Sequence, residues 1–322
     1  MRAIRFEEPG DADVLTLAEL ETPEPDPDEV LVEVAAAGVN FIDTYHRSGL
    51  YPMSLPSGIG LEGAGEVVAV GDEVTDRRPG DRVAWSDALG SYATHLTVPA
   101  ERTVLLPDGI DAASGAATML QGMTAHYLSH STFQLDRGHT ALVYAAAGGV
   151  GRLLVQLAKR RGARVLACTS TEEKAEHVRA LGADEIVFYR DEDVAARAHE
   201  LTDGTGVDVV YDSVGQATFE SSLASLRPRG LMVLYGASSG PVPPTDPQVL
   251  ARNGSLYLTR PTLGHYTATS DELAWRAGAL FELQLAGQLE LAIHARYPLA
   301  EAAQAHRDLE SGTTSGKLLL EP

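Results

Sequence analysis

The chain has 322 residues, with 25 Lys plus Arg against 45 Asp plus Glu, a formal net charge of -20 and one cysteine, Cys168. That length suits two domains of roughly 150 residues each, and an acidic field with no basic run to offset it argues against a nucleic-acid partner. A lone cysteine leaves no intramolecular disulfide and no Cys-rich zinc or iron-sulfur site; no segment approaches about 18 uninterrupted apolar residues, so a soluble, unprocessed, cytoplasmic protein is expected, with no membrane partner.

From residue 1 to about 120, short β-prone runs at 30–35, 65–70, 81–85 and 92–98 alternate with turn signals such as Gly71-Asp72 and Gly80-Asp81, which predicts a β-rich domain. Pro23, Pro25 and Pro27 form a rigid turn between two strands rather than a linker. Between about 140 and 260 the rhythm becomes strand then helix, with strands at 140–145, 164–168, 185–188, 207–211, 231–235 and 255–258. Strands alternating with helical spacers predict a parallel, doubly wound sheet of the α/β class. The first spacer places Val150, Leu153, Leu154, Leu157 and Ala158 on one helical stripe, and Gly162 ends it. Past 260, a capping box of Thr269 with Glu272 opens a helix that stops near Gly287; a second helix follows at about 299–310, and 316–320 is a short strand expected to pack back on the first domain.

The sharpest motif is Ala146-Ala147-Gly148-Gly149-Val150-Gly151, between an apolar strand and an amphipathic helix. This is the dinucleotide-binding pattern in its AxGxxG form. Gly148 lets backbone approach a pyrophosphate, Gly151 lets helix and strand pack closely, and the helix N-terminus offers N–H groups to an anion. The bland alternative is a glycine-rich turn without a ligand. Binding of NAD usually puts Asp or Glu at the end of the second strand to hold the ribose hydroxyls. Here that end is Cys168-Thr169-Ser170-Thr171, then Lys174, one of only three lysines in the chain. Hydroxyls and a lysine suit the 2′-phosphate of NADPH, while Glu172 and Glu173 keep open a merely solvated Lys174.

Gly236-Ala237-Ser238-Ser239-Gly240 matches the GxSxG elbow of serine hydrolases and follows a strand. That motif needs a helix directly after the serine, and Pro241, Pro243 and Pro244 forbid one; the loop suits ribose and nicotinamide contacts instead. The ten histidines include no HxH or HExxH pair, so no zinc is expected, and residues such as His126 and His265 are read as ordinary hydrogen-bonding side chains.

Several strings in order, 37–45, 47–51, Gly80-Asp81-Arg82-Val83, 145–151, 211–215 and 254–257, resemble the zinc-free quinone oxidoreductases, the ζ-crystallin-like branch of the medium-chain dehydrogenase/reductase superfamily. The resemblance spans essentially the whole chain. It implies a GroES-like catalytic domain from residues 1–121 and 264–322, a Rossmann NADPH-binding domain from 122–263, and NADPH in the cleft. Zinc-dependent relatives carry a Cys near position 40 and a His beside Glu62 as metal ligands; Asn40 and Leu61 stand there instead. By matching position, the resemblance implies Asn40, Asp43, Tyr45, Thr124 and, near the mouth, Tyr51 at the catalytic end, with Phe41, Ile42, Gly122 and Tyr127 lining the nicotinamide. It implies Gly148, Gly149, Val150 and Gly151 at the pyrophosphate and Ser170, Lys174 and Tyr189 around the 2′-phosphate. Ser213, Val214, Tyr235, Ser238, Ser239 and Lys317 follow as secondary contacts.

Without a metal, the implied chemistry is hydride transfer from NADPH to an already electrophilic quinone, with the proton from solvent or a tyrosine. Tyr45 and Tyr51 act either as proton donors or as ring-stacking walls. An enone or alkenal double-bond reductase and a non-catalytic NADPH-binding protein are the competing readings. A homodimer through the strand at 255–258 is expected, because a short apolar edge with no Lys or Pro is a liability when bare.

Overall fold

The computed structural model describes residues 1–322, which divide into two compact units, Met1–Met123 with Thr267–Pro322, and Thr124–Tyr266.

The second unit is a six-stranded parallel sheet. Its spatial order is Glu185–Phe188, Arg164–Thr169, Thr140–Val143, Val207–Asp212, Leu226–Leu234 and Tyr257–Thr259. The inner strands are apolar because both faces are covered, and Leu142, Leu166, Val187, Val210 and Met232 meet in one core. Strand order reverses between Thr140–Val143 and Val207–Asp212, the switch point at which such sheets place their ligands. The fifth strand begins earlier than its apolar run suggests, with Leu226 already opposite Val207; the register then slips before Val209, where Arg229 takes the left-handed conformation (φ 61°). The sixth begins two residues later than expected, after Ser255 at φ 57°.

The first unit is β-rich. Six strands lie in the order Ile293–Pro298, Lys317–Glu321, Glu29–Val39, Gly63–Val70, Arg82–Trp85 and Thr103–Leu105, and His95–Pro99 also pairs with Glu29–Val39. A smaller sheet joins Thr16–Glu19, Arg2–Phe6 and Ser57–Gly58. The prolines at 23–27 fall in the turn between Thr16–Glu19 and Glu29–Val39. The C-terminal strand pairs antiparallel with Glu29–Val39, Leu318 opposite Val39, which brings Lys317 alongside residues 38–40. Gly38 makes that approach possible: a Cβ there would lie 2.2 Å from Glu62 Oε1 and 2.6 Å from Lys317 Cε. The helix Ala302–Glu310 turns Ala302, Ala305, His306 and Leu309 inward, one helical stripe that carries a histidine into the core.

Candidate active site

In the first unit the strand Glu29–Val39 ends directly in the helix Phe41–Ser48, with Asn40 as N-cap. Asp43, three residues on, accepts from the Asn40 N–H at 2.8 Å, so one carboxyl fixes the entry of the helix. The Asn40 side chain is only 3% exposed and its amide is fully engaged. Its Nδ2 donates to Glu62 Oε1 at 2.6 Å, and its Oδ1 accepts from Gln121 at 3.1 Å and from the Lys317 ammonium at 2.9 Å. Lys317 also forms a buried ion pair with Glu62, whose second oxygen accepts from the Leu120 N–H at 2.6 Å. At positions 40 and 61, where the resemblance implies metal ligands in zinc-dependent relatives, stand an amide bound to an ammonium and the apolar, buried Leu61. These donors do not fit zinc, and no group of three or more His, Cys, Asp or Glu comes together elsewhere.

Beside this cluster lies an aromatic wall. Phe41 and Tyr45 have ring centroids 6.4 Å apart, Tyr45 and Tyr51 meet edge to face at 5.2 Å, and His46 lies 6.1 Å from Tyr51. The Tyr51 N–H donates to the Tyr45 carbonyl at 3.0 Å, which fixes their spacing. Ile42 is half-buried on the same helix. Asp43 has no exposed surface; burial raises its pKa to about 7. Gly122 faces Leu280, where a Cβ would lie at 3.1 Å.

In the second unit the strand Thr140–Val143 leads through Ala145, at φ 48°, to the N-cap Gly148 and the helix Gly149–Arg160. A Cβ on Gly151 would stand 2.3 Å from the Ala145 carbonyl oxygen, so only glycine permits this helix–strand contact. Gly148 offers no side-chain cap, which leaves the first N–H groups of Gly149, Val150 and Gly151 aimed outward with the positive end of the helix dipole. At the end of the second strand Thr169 Oγ1 is buried without a partner, Ser170 follows, and Thr171 caps the next helix through the Lys174 N–H at 3.3 Å. Glu172 pairs with Arg179, while the Glu173 charge acts on Lys174. Burial and the nearby Arg190 charge hold the Lys174 pKa down: two cations share a site beside Tyr189, with Arg190 6.0 Å above that ring. These residues fit the phosphates of NADPH, two like charges being stable together where an anion joins them.

Further along the carboxyl end, buried Asp212 accepts from the Val214 and Gly215 N–H groups at 2.8 and 3.0 Å, and from Thr218 and Ser222 hydroxyls at 2.7 and 2.6 Å. It fixes the turn that carries Ser213 and Val214. The next loop is tied to it: the Tyr235 N–H reaches the Asp212 carbonyl at 2.8 Å, the Ser238 N–H that of Ser213 at 3.2 Å, and the Ser239 hydroxyl that of Val214 at 2.8 Å. No helix follows until Gln248, so the strand–turn–helix of a nucleophile elbow is absent. Thr124 and Tyr127 are buried, Tyr127 stacking on Tyr266 at 4.3 Å, and His126 stacks on His130 at 4.2 Å.

The chain matches the alcohol dehydrogenase GroES-like domain over residues 26–108 and the zinc-binding dehydrogenase family over residues 149–275. It is 48% identical to a quinone oxidoreductase of Pseudomonas aeruginosa, covering 100% of this chain and 99% of that protein. It belongs to the quinone oxidoreductase family of the medium-chain dehydrogenase/reductase superfamily. The solved Escherichia coli quinone oxidoreductase complexed with NADPH superposes with a TM-score of 0.98 at 42% identity, each chain covered to 100%. A 2-haloacrylate reductase from Burkholderia sp is 40% identical over 97% of this chain and 96% of that protein.

Arg190, Gln121, Tyr92 and His306 were not anticipated from the sequence. Arg190 had a usable signal, a Tyr-Arg pair directly after the third strand. The other three have none, because each reaches its partner only through long-range packing.

Proposed function

We propose that this protein is a zinc-independent, NADPH-dependent quinone reductase whose unit Thr124–Tyr266 binds the cofactor and whose other unit supplies the acceptor-binding residues. The full-length identity to quinone oxidoreductases carries this reading. NADPH, when bound, supplies a hydride from its nicotinamide ring. In this reading the Gly149–Gly151 N–H groups hold the pyrophosphate, and Lys174, Arg190, Ser170 and Tyr189 hold the 2′-phosphate. Phe41, Tyr45 and Tyr51 form apolar walls that orient a planar acceptor and exclude water, with a proton from solvent or Tyr45 completing the reduction. Asn40 acts through its fixed place and not through a free amide.

The sheet edge Tyr257–Thr259, with Tyr257 62% and Leu258 42% exposed, supports a homodimer in which the two edges pair; light scattering at micromolar concentration reads a dimer or larger, and a monomer refutes it. No helix is long and apolar enough to cross a membrane, and one buried, unpaired cysteine accords with a reducing cytoplasm.

The deciding experiment is NADPH oxidation against benzoquinone, naphthoquinone, short enones and 2-chloroacrylate. Quinone turnover is expected. Turnover confined to chloroacrylate or enones supports a double-bond reductase, the reading favoured by the haloacrylate-reducing relative, and none at all leaves a binding protein.

A further inference from the structure

A buried chain of side chains links the helix Phe41–Ser48 to the helix Ala302–Glu310 and ends on a carboxyl. Asp43 Oδ2 accepts from the Asn40 N–H and from the Tyr92 hydroxyl, both at 2.8 Å. Tyr92 Oη lies 3.2 Å from His306 Nε2, and His306 Nδ1 lies 3.2 Å from Arg47 Nη1. The Arg47 guanidinium grips Glu310 with both nitrogens, at 2.8 and 3.1 Å, where the chain meets solvent.

Donor inventory assigns the direction of every bond. A guanidinium only donates, so His306 Nδ1 accepts and the imidazole proton sits on Nε2, from which it donates to Tyr92. Tyr92 then spends its one proton on Asp43. Burial and the adjacent Arg47 push the His306 pKa down to about 3, so the ring stays neutral. The chain aims dipoles at a single carboxyl oxygen. The other oxygen, Asp43 Oδ1, is buried with no partner.

The charged groups acting on Asp43 directly are Lys317 and Glu62, with Arg47 and Glu310 beyond Tyr92 and His306. Lys317 and Glu62 compensate each other, as do Arg47 and Glu310. A neutral Asp43 therefore leaves the interior balanced, with its proton on Oδ1. An ionised Asp43 leaves one uncompensated buried charge and competes with Glu62 and Asn40 for the same ammonium.

We propose that Asp43 is a positioning residue that works in its protonated form, and that its ionisation makes the reduction fall at alkaline pH by loosening the Asn40–Glu62–Lys317 cluster and adding negative charge beside an acceptor that is itself gaining it. The inference rests on the quinone reductase reading. Burial sets the Asp43 pKa near the middle of the physiological range, at about 7, with the Tyr92 hydrogen bond pulling it down.

Two readouts keep the inference separable from that reading. The first needs no substrate: infrared titration should show a protonated carboxyl band that disappears as pH rises through about 7 and is missing in Asp43→Asn. The second is the pH profile of kcat with a quinone. Wild type should fall about tenfold per pH unit once Asp43 is ionised, while Asp43→Asn lacks that limb. Tyr92→Phe removes a donor that favours the ionised form, so both the infrared midpoint and the alkaline limb should move to higher pH. No protonated carboxyl at any pH, or an alkaline limb that stays in place in both variants, overturns the proposal. A titrating carboxyl in a protein that reduces no quinone overturns the link to the reaction and leaves the protonation intact.

Discussion

Replacing Lys317 by methionine isolates the energetic weight of the cluster at the end of the strand Glu29–Val39. The ammonium is 3% exposed and the Glu62 carboxylate 0%, so water takes no part in the pair. After the substitution Glu62 keeps two donors, Asn40 Nδ2 at 2.6 Å and the Leu120 N–H at 2.6 Å, but loses its counter-charge. Breaking a buried pair from one side costs about 3 to 5 kcal/mol, which for a unit of this size lowers its melting point by roughly 6 to 20 °C. Lys317→Met with Glu62→Gln removes both charges and keeps an amide able to bond Leu120, and should recover at least half of the loss. Thermal unfolding of wild type, the two single variants and the double variant by circular dichroism is the assay. A loss below about 1 kcal/mol for the single variant, or a double variant no better than the single, would refute the argument that the ammonium compensates Glu62.

Lys174→Ala and Arg190→Ala should each weaken NADPH by roughly 10- to 150-fold while NADH barely changes, as measured by nicotinamide fluorescence titration; equal losses for the two cofactors would make both residues surface cations. Tyr45→Phe should lower kcat by less than about 10²-fold if its ring only lines the wall, whereas a loss near 10⁴-fold with unchanged NADPH binding would make it the proton donor. With a net charge of -20, kcat/KM for NADPH should rise with salt as repulsion is screened, while that for a neutral quinone stays flat; stopped-flow measurements across ionic strength separate the two. Asp43 has a folded pKa of about 7 against about 3.9 unfolded, so its contribution to stability is fully present below pH 4 and is lost as pH rises to 7, by up to about 4 kcal/mol. Asp43→Asn should therefore gain on wild type in urea midpoint across that window; a constant difference would show that Asp43 does not titrate there.

What could be read without coordinates is what depends on neighbours in sequence. The six-strand rhythm, the AxGxxG turn and the helix of Lys174 are local patterns of period and turn chemistry, and the sheet order follows once connections run right-handed from a switch point. Glu62 was legible only as a marker beside a missing zinc ligand, because its partners, Asn40 and Lys317, lie 22 and 255 residues away in the chain. Such contacts leave no periodicity: His306 occupies a helix position that an apolar residue would fill just as well, and nothing around it announces Tyr92 or Arg47. The physical reason is that burying a polar group is tolerated only when its partners are in place, and those partners are supplied by strand pairing, here the register that sets Leu318 opposite Val39. That register also explains why a buried amide is stable at position 40. The strand Lys317–Glu321 delivers a fixed cation to the amide, and Gly38 clears the path for it: a side chain at position 38 would collide with both charged partners, while changing Lys317 or Glu62 alone would leave the other charge uncompensated.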